Sequence, residues 1–227
     1  MDYLKITITL EHGMAEPKTL FHLDALLGAL KVQQARSVYG EQINPRDFHY
    51  DIPVERYTTS SGDWVFKASA FKIELSHPKE YWFQTKRMNI TQIANHRANG
   101  FLTVRASKPR IDTQPLKPNF NHSSVVIGSL VAYCVGNKQG IKTLLNSCKK
   151  IGGLRGVGFG NVAGIDVSEI DKKDCDWYWR AMPLDSDTSL LLDEHIKCVT
   201  GMRAPYWDRT LHALGYLPTQ HQFKHYI

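Results

Sequence analysis

The chain has 227 residues, with 42% hydrophobic and 22% charged residues and a formal net charge of +6. This is the balance of an ordinary globular protein with enough length for one good-sized core, or two small ones sharing an interface. No apolar run approaches the roughly 20 residues that cross a bilayer, and "MDYLKITITL" has neither the basic start nor the cleavage site of a signal peptide. A cytoplasmic protein without membrane contact is therefore expected. The four cysteines, Cys134, Cys148, Cys175 and Cys198, form no C-x-x-C pair. They read as buried free thiols in a reducing compartment, and no metal is expected.

In chain order, residues 3–10 alternate apolar and polar as a strand does. A loop with Gly13 and Pro17 follows. Leu23, Leu26, Leu27 and Leu30 then recur at helical spacing, with Gly40 beyond the end, which predicts a helix of about five turns. Residues 49–58 and 64–75 read as two strands joined around "TSSGD". Residues 84–124 are basic, polar and broken by three prolines, with one short strand-like piece, "GFLTVRA". A segment of that length inside a compact domain is usually functional or disordered. "SVVIGSLVAYCVG" resumes as a buried strand, residues 138–150 as a helix and residues 161–170 as a strand. The aromatic tail, with Trp177, Tyr178, Trp179, Tyr206 and Trp207, suits either core packing, a seat for a neighbouring subunit, or stacking on unpaired bases.

The order is βαββ, a basic insertion, then βα, a glycine-rich loop and β. With the insertion removed this is an α+β, ferredoxin-like arrangement, in which two helices cover one sheet face. Charge is concentrated in the middle: from Tyr81 to Ile165 there are 12 Lys/Arg and one acid, Asp112. A polyanion-binding face produces such asymmetry.

The loop between helix and strand holds five glycines, Gly152, Gly153, Gly156, Gly158 and Gly160, with Arg155 among them and Lys149 and Lys150 before them. Nucleotide-binding loops run strand, loop, helix, because the helix N-terminus faces the phosphate. Here the order is reversed, which excludes that reading. A nest of backbone N–H groups that an extended phosphate chain can approach remains open, as does a plain helix cap leading into a bulged strand.

"LLNSCKKIGGLRGVGFGNVAGIDV" resembles the G-loop of the RAMP superfamily of CRISPR-associated proteins. "FHLDALLGALKVQQA" and "MRAPYW" resemble further the type IV Csf group, in particular its subunit of the Cas-five kind. The resemblance implies a RAMP ferredoxin-like domain over residues 1–176, with a thumb at about 84–122 and a G-loop at 151–160. Residues 177–227 would be an extension packing on the same core. It implies a non-catalytic subunit that holds the 5′ handle of the crRNA and caps the backbone of an RNA-guided complex. Its partners would be crRNA, backbone RAMP subunits, a large subunit and, through the complex, target DNA, with no cofactor. Thumb residues Arg87, Arg97, Arg105, Lys108, Arg110 and Lys117 would grip RNA, together with Lys149, Lys150, Arg155 and the loop glycines. The alternative is a metal-independent endoribonuclease of the Cas-six kind, for which His22 and His122 are the candidate histidines.

Overall fold

The computed structural model describes residues 1–17, 19–86, 98–99, 119–191, 195–206 and 208–219. Two units emerge: Glu80–Val125, and the remainder of the chain. The larger unit is built on a four-stranded antiparallel sheet. In chain order its strands are β1 (Asp2–Leu10), β4 (Lys72–Leu75), β7 (Gly128–Gly136) and β8 (Val162–Glu169), and across the sheet they run β4-β7-β1-β8. Helix α1 (Leu23–Tyr39) follows β1, and α2 (Lys138–Leu145) follows β7. Between β1 and β4 a small hairpin pairs β2 (Arg56–Thr58) with β3 (Trp64–Phe66).

Strand alternation sends one set of side chains to each face of the sheet. The register sets Leu4, Ile6 and Ile8 of β1 opposite Cys134, Ala132 and Leu130 of β7, and Ile6 opposite Val167 of β8. These residues share one core with Leu23, Leu26, Leu27 and Leu30 of α1 and Ile141, Leu144 and Leu145 of α2. Both helices thus cover the same face, and each buried aliphatic side chain contributes roughly 1.5–3 kcal/mol.

The opposite face meets the C-terminal segment. Val135, Tyr3 and Tyr133 of the sheet join Cys175, Trp177, Ala181, Met182 and Met202 in a second cluster. Beyond it lies a three-stranded antiparallel sheet of β9 (Met182–Pro183), β11 (His212–Pro218) and β10 (His195–Gly201), in that order. Trp177 and Trp179 are buried, so core packing is their role, while Trp207 lies outside the described residues. The smaller unit pairs β5 (Glu80–Lys86) with β6 (Asn119–Val126), from Glu80 opposite Val125 to Lys86 opposite Asn119. No helix among the described residues is long and apolar enough to cross a membrane.

Several sequence expectations need correction. The predicted strand 64–75 is broken, because residues 67–71 spend their backbone bonds elsewhere: Ala70 N–H on the Trp179 carbonyl (2.9 Å) and Phe71 N–H on the Phe21 carbonyl (2.7 Å). Residues 49–55 form no strand, apart from a bridge between Val54 and Gly136. The strand read across residues 124–136 is two, separated at Ile127. The second helix stops at Leu145 rather than continuing to Lys150, and Ser147 Oγ donates to the Leu144 carbonyl (2.7 Å) at its end. Three of the four cysteines are buried, but Cys198 on the edge strand β10 is half-buried.

A pair of charged groups is fully buried within the larger unit. Arg180 and Asp24 are both 0% exposed. Arg180 donates to Asp24 Oδ2 (3.3 Å) and to the carbonyls of Phe66 (2.7 Å), Ala68 (3.1 Å), Ala181 (3.1 Å) and Met202 (2.7 Å). Tyr206 Oη donates to Asp24 (2.9 Å). Opposite charge and hydrogen bonding hold the Arg180 guanidinium in its charged form against the cost of burial. Removing one partner of a buried ion pair strands the other. Asp24→Ala should therefore lower unfolding stability by about 3–5 kcal/mol, as read from the urea midpoint.

Candidate nucleic-acid interface

The glycine loop connects α2 to β8, so the helix–loop–strand order expected from sequence is what the chain adopts. Its base is closed by backbone pairing. Ile151 N–H donates to the Gly160 carbonyl (2.8 Å), Val162 N–H to the Lys149 carbonyl (3.1 Å), and Lys150 bridges Asn161. A second set of bonds ties the loop to the segment after β1: Gly160 N–H donates to the Gly13 carbonyl (2.7 Å), and Gly153 bridges Ala15. Lys149 and Lys150 are therefore exposed residues on the pairing base, not the last turn of a helix.

The glycines divide by what their positions require. At Gly160, with φ +75°, a Cβ would land on the Ile151 carbonyl oxygen, and at Gly152, with φ +79°, it would come 2.8 Å from Met14 Cε. Both are demanded by the closed base. Gly156 has neither constraint: its φ is ordinary, and nothing lies within 4 Å of a Cβ built there. It occupies the tip, a short 3₁₀ turn over Arg155–Val157, entered through Leu154 in the left-handed conformation at φ 59°. Arg155, Gly156, Val157 and Gly158 are all exposed. Lys150 Nζ donates to the Arg155 carbonyl (3.3 Å), which keeps that ammonium beside the tip. Among the described residues, the N–H groups of Arg155 and Gly156 have no protein acceptor, and Arg155 has no carboxylate partner. Exposed donors, two lysines and a guanidinium with backbone open to close approach form a surface suited to an anionic chain.

The remaining site residues do not gather there. Arg87, Arg97, Arg105, Lys108, Arg110 and Lys117 lie outside the described residues, as does "GFLTVRA". The backbone of His122 stands on β6 opposite Phe83. His22 is 3% exposed and belongs to the Arg180 centre: its ring stacks on Tyr206 with centroids 4.2 Å apart, and its Nε2 accepts from the Ala181 N–H (3.4 Å). Burial, and then the charge of Arg180, push its imidazole well below the usual value. That is the setting of a neutral core histidine. Sequence reasoning missed Arg180; the available signal was Asp24, a carboxylate flanking the leucine face of a buried helix, which demands a cation.

A family model described as CRISPR type IV associated protein Csf3 matches residues 2–218, nearly the whole chain. No match was found among curated proteins.

Two stability experiments follow from this geometry. Gly160→Ala should destabilise the fold by more than about 1 kcal/mol, whereas Gly156→Ala should lie within about 0.5 kcal/mol of wild type, compared by urea unfolding. The second concerns acid. With its folded pKa depressed, His22 binds a proton more readily in the unfolded chain. Its contribution is complete above about pH 6.5 and is lost as pH falls towards the folded value. His22→Phe should flatten the decline of thermal stability between about pH 6.5 and 5.

Proposed function

The chain belongs to the CRISPR type IV associated family, and from that premise we propose that it is a non-catalytic RNA-binding subunit of an RNA-guided effector complex. In this reading it holds the 5′ handle of the crRNA and caps the backbone of the assembly. Its neighbours are backbone RAMP subunits and a large subunit, and it meets target DNA through the complex.

The observation that carries the reading is the loop of residues 151–160: a base locked by main-chain pairing and a tip that combines open backbone, Arg155 and flanking lysines. A locked base supplies a preorganised surface, and an open tip lets a phosphate reach main-chain N–H groups. The sheet supports it too. Its order β4-β7-β1-β8, all antiparallel with both helices on one face, corresponds to the ferredoxin-like order 2-3-1-4 once the hairpins are set aside. The glycine loop then precedes the fourth strand, as the G-loop of a RAMP domain does.

Residues 84–122, inserted between the second and third strands of that sheet, are the thumb of this reading. Arg87, Arg97, Arg105, Lys108, Arg110 and Lys117 are its phosphate contacts. The burial of His22 removes one of the two candidate nucleolytic histidines and leaves a holding role as the better fit.

Gly156→Val adds a branched side chain at the tip without touching the base. It should weaken binding of an RNA carrying the 5′ handle at least tenfold while the thermal transition stays within about 2 °C of wild type. Precursor RNA should remain uncut by either protein. Normal RNA affinity in a folded Gly156→Val protein would contradict the loop's role.

A further inference from the structure

A second group of cations, without carboxylate partners among the described residues, gathers at the β2–β3 hairpin. The register places Arg56 opposite Phe66 and Thr58 opposite Trp64, so Arg56 and Trp64 are diagonal neighbours on one face. The Arg56 guanidinium carbon is 4.2 Å from the centroid of the Trp64 ring, and that of Arg203 is 4.7 Å from the same centroid. Tyr50 and Phe66 meet the indole edge-on, at 5.4 and 5.2 Å, and fix its plane. Two positive charges thus lie no farther apart than about one Debye length at 0.1 M salt, roughly 10 Å.

Such a pair repels itself, and among the described residues no carboxylate neutralises it. Several other cations are answered by carboxylates: Lys67 meets Glu55, Lys72 meets Asp176, Arg46 meets Asp208 and Arg180 meets Asp24. Glu55, next to Arg56 in the chain, is taken by Lys67 at 2.7 Å. Among the described residues neither Arg56 nor Arg203 has a carboxylate partner, and the buried Nε of Arg203 has no acceptor at all. A guanidinium stacked on an indole keeps its N–H groups in the plane of the fork, where they suit two oxygens of a phosphate.

The geometry points to a second phosphodiester-binding site, formed by Arg56 and Arg203 on the Trp64 platform, that takes the backbone of single-stranded nucleic acid. It extends the nucleic-acid reading above but uses none of the glycine-loop residues.

The test measures binding of a mixed-sequence single-stranded RNA, and of the same sequence as DNA, to the full-length protein over a range of salt. Arg56→Gln combined with Arg203→Gln should reduce the slope of log K against log salt by about 1.4, since each single-strand phosphate contact is worth about 0.7. Lys197→Gln, which removes an exposed charge on β10, should leave the slope unchanged. A reduction with RNA alone assigns the site to RNA, with DNA alone to DNA, and with both to the shared backbone. Should the double variant fail to fold, Arg56→Gln changes only an exposed residue and should by itself reduce the slope by about 0.7. An unchanged slope with both polymers, or a wild-type protein that binds neither, would overturn the site. Gly156→Val separates the two readings. If it binds normally while the arginine variants lose slope, the loop fails and this site stands; the reverse pattern rejects this site and keeps the loop.

Discussion

The buried Arg180 guanidinium is the constraint on which the larger unit depends. Its donors reach α1 through Asp24, the β3 hairpin strand and the residues after it through Phe66 and Ala68, and the C-terminal segment through Ala181, Met202 and Tyr206. A charge taken out of water is tolerable only when its hydrogen-bonding capacity is met in full. Here that requirement fixes three stretches of chain, far apart in sequence, at a single point. The C-terminal segment is therefore integral to the fold: it supplies the cation for a helix that would otherwise bury a lone carboxylate.

The same centre explains the division of labour across the sheet. Leucines of α1 and α2 close one face, and the segment anchored by Arg180 brings Trp177 and Met182 against Val135 on the other. Among the described residues two groups of cations have no carboxylate partner, one at the glycine-loop tip and one on the Trp64 platform. The first rises from the paired loop base and the second lies against an aromatic cluster. Cations held in place before a ligand arrives meet a polyanion at little ordering cost.

What the sequence made legible was the local part of this design. β1, β8 and α1 follow from alternation and from leucines at helical spacing, and the exclusion of a nucleotide loop follows from element order alone. The break in the 64–75 run was not legible, because the groups that divert the backbone, Trp179 and Phe21, are remote in the chain. Nor was the end of α2, where apolar periodicity continues through Cys148 after the hydrogen bonds have left the helix. In the loop, glycine count alone could not separate Gly152 and Gly160, required by contacts with Met14 and Ile151, from Gly156, which the fold leaves unconstrained. Only packing draws that distinction, and it turns a glycine-rich motif into one tip position worth testing.

The proposed contact of the loop tip with the 5′ handle of a crRNA is open to direct measurement. Photocrosslinking with 4-thiouridine placed in the handle, followed by mass spectrometry of the attached peptide, tests it most directly. Attachment is expected within residues 152–160, shifting away from that peptide when the 4-thiouridine is moved to the 3′ end. Handle crosslinks that fall entirely on other peptides, with none in the loop, would contradict it.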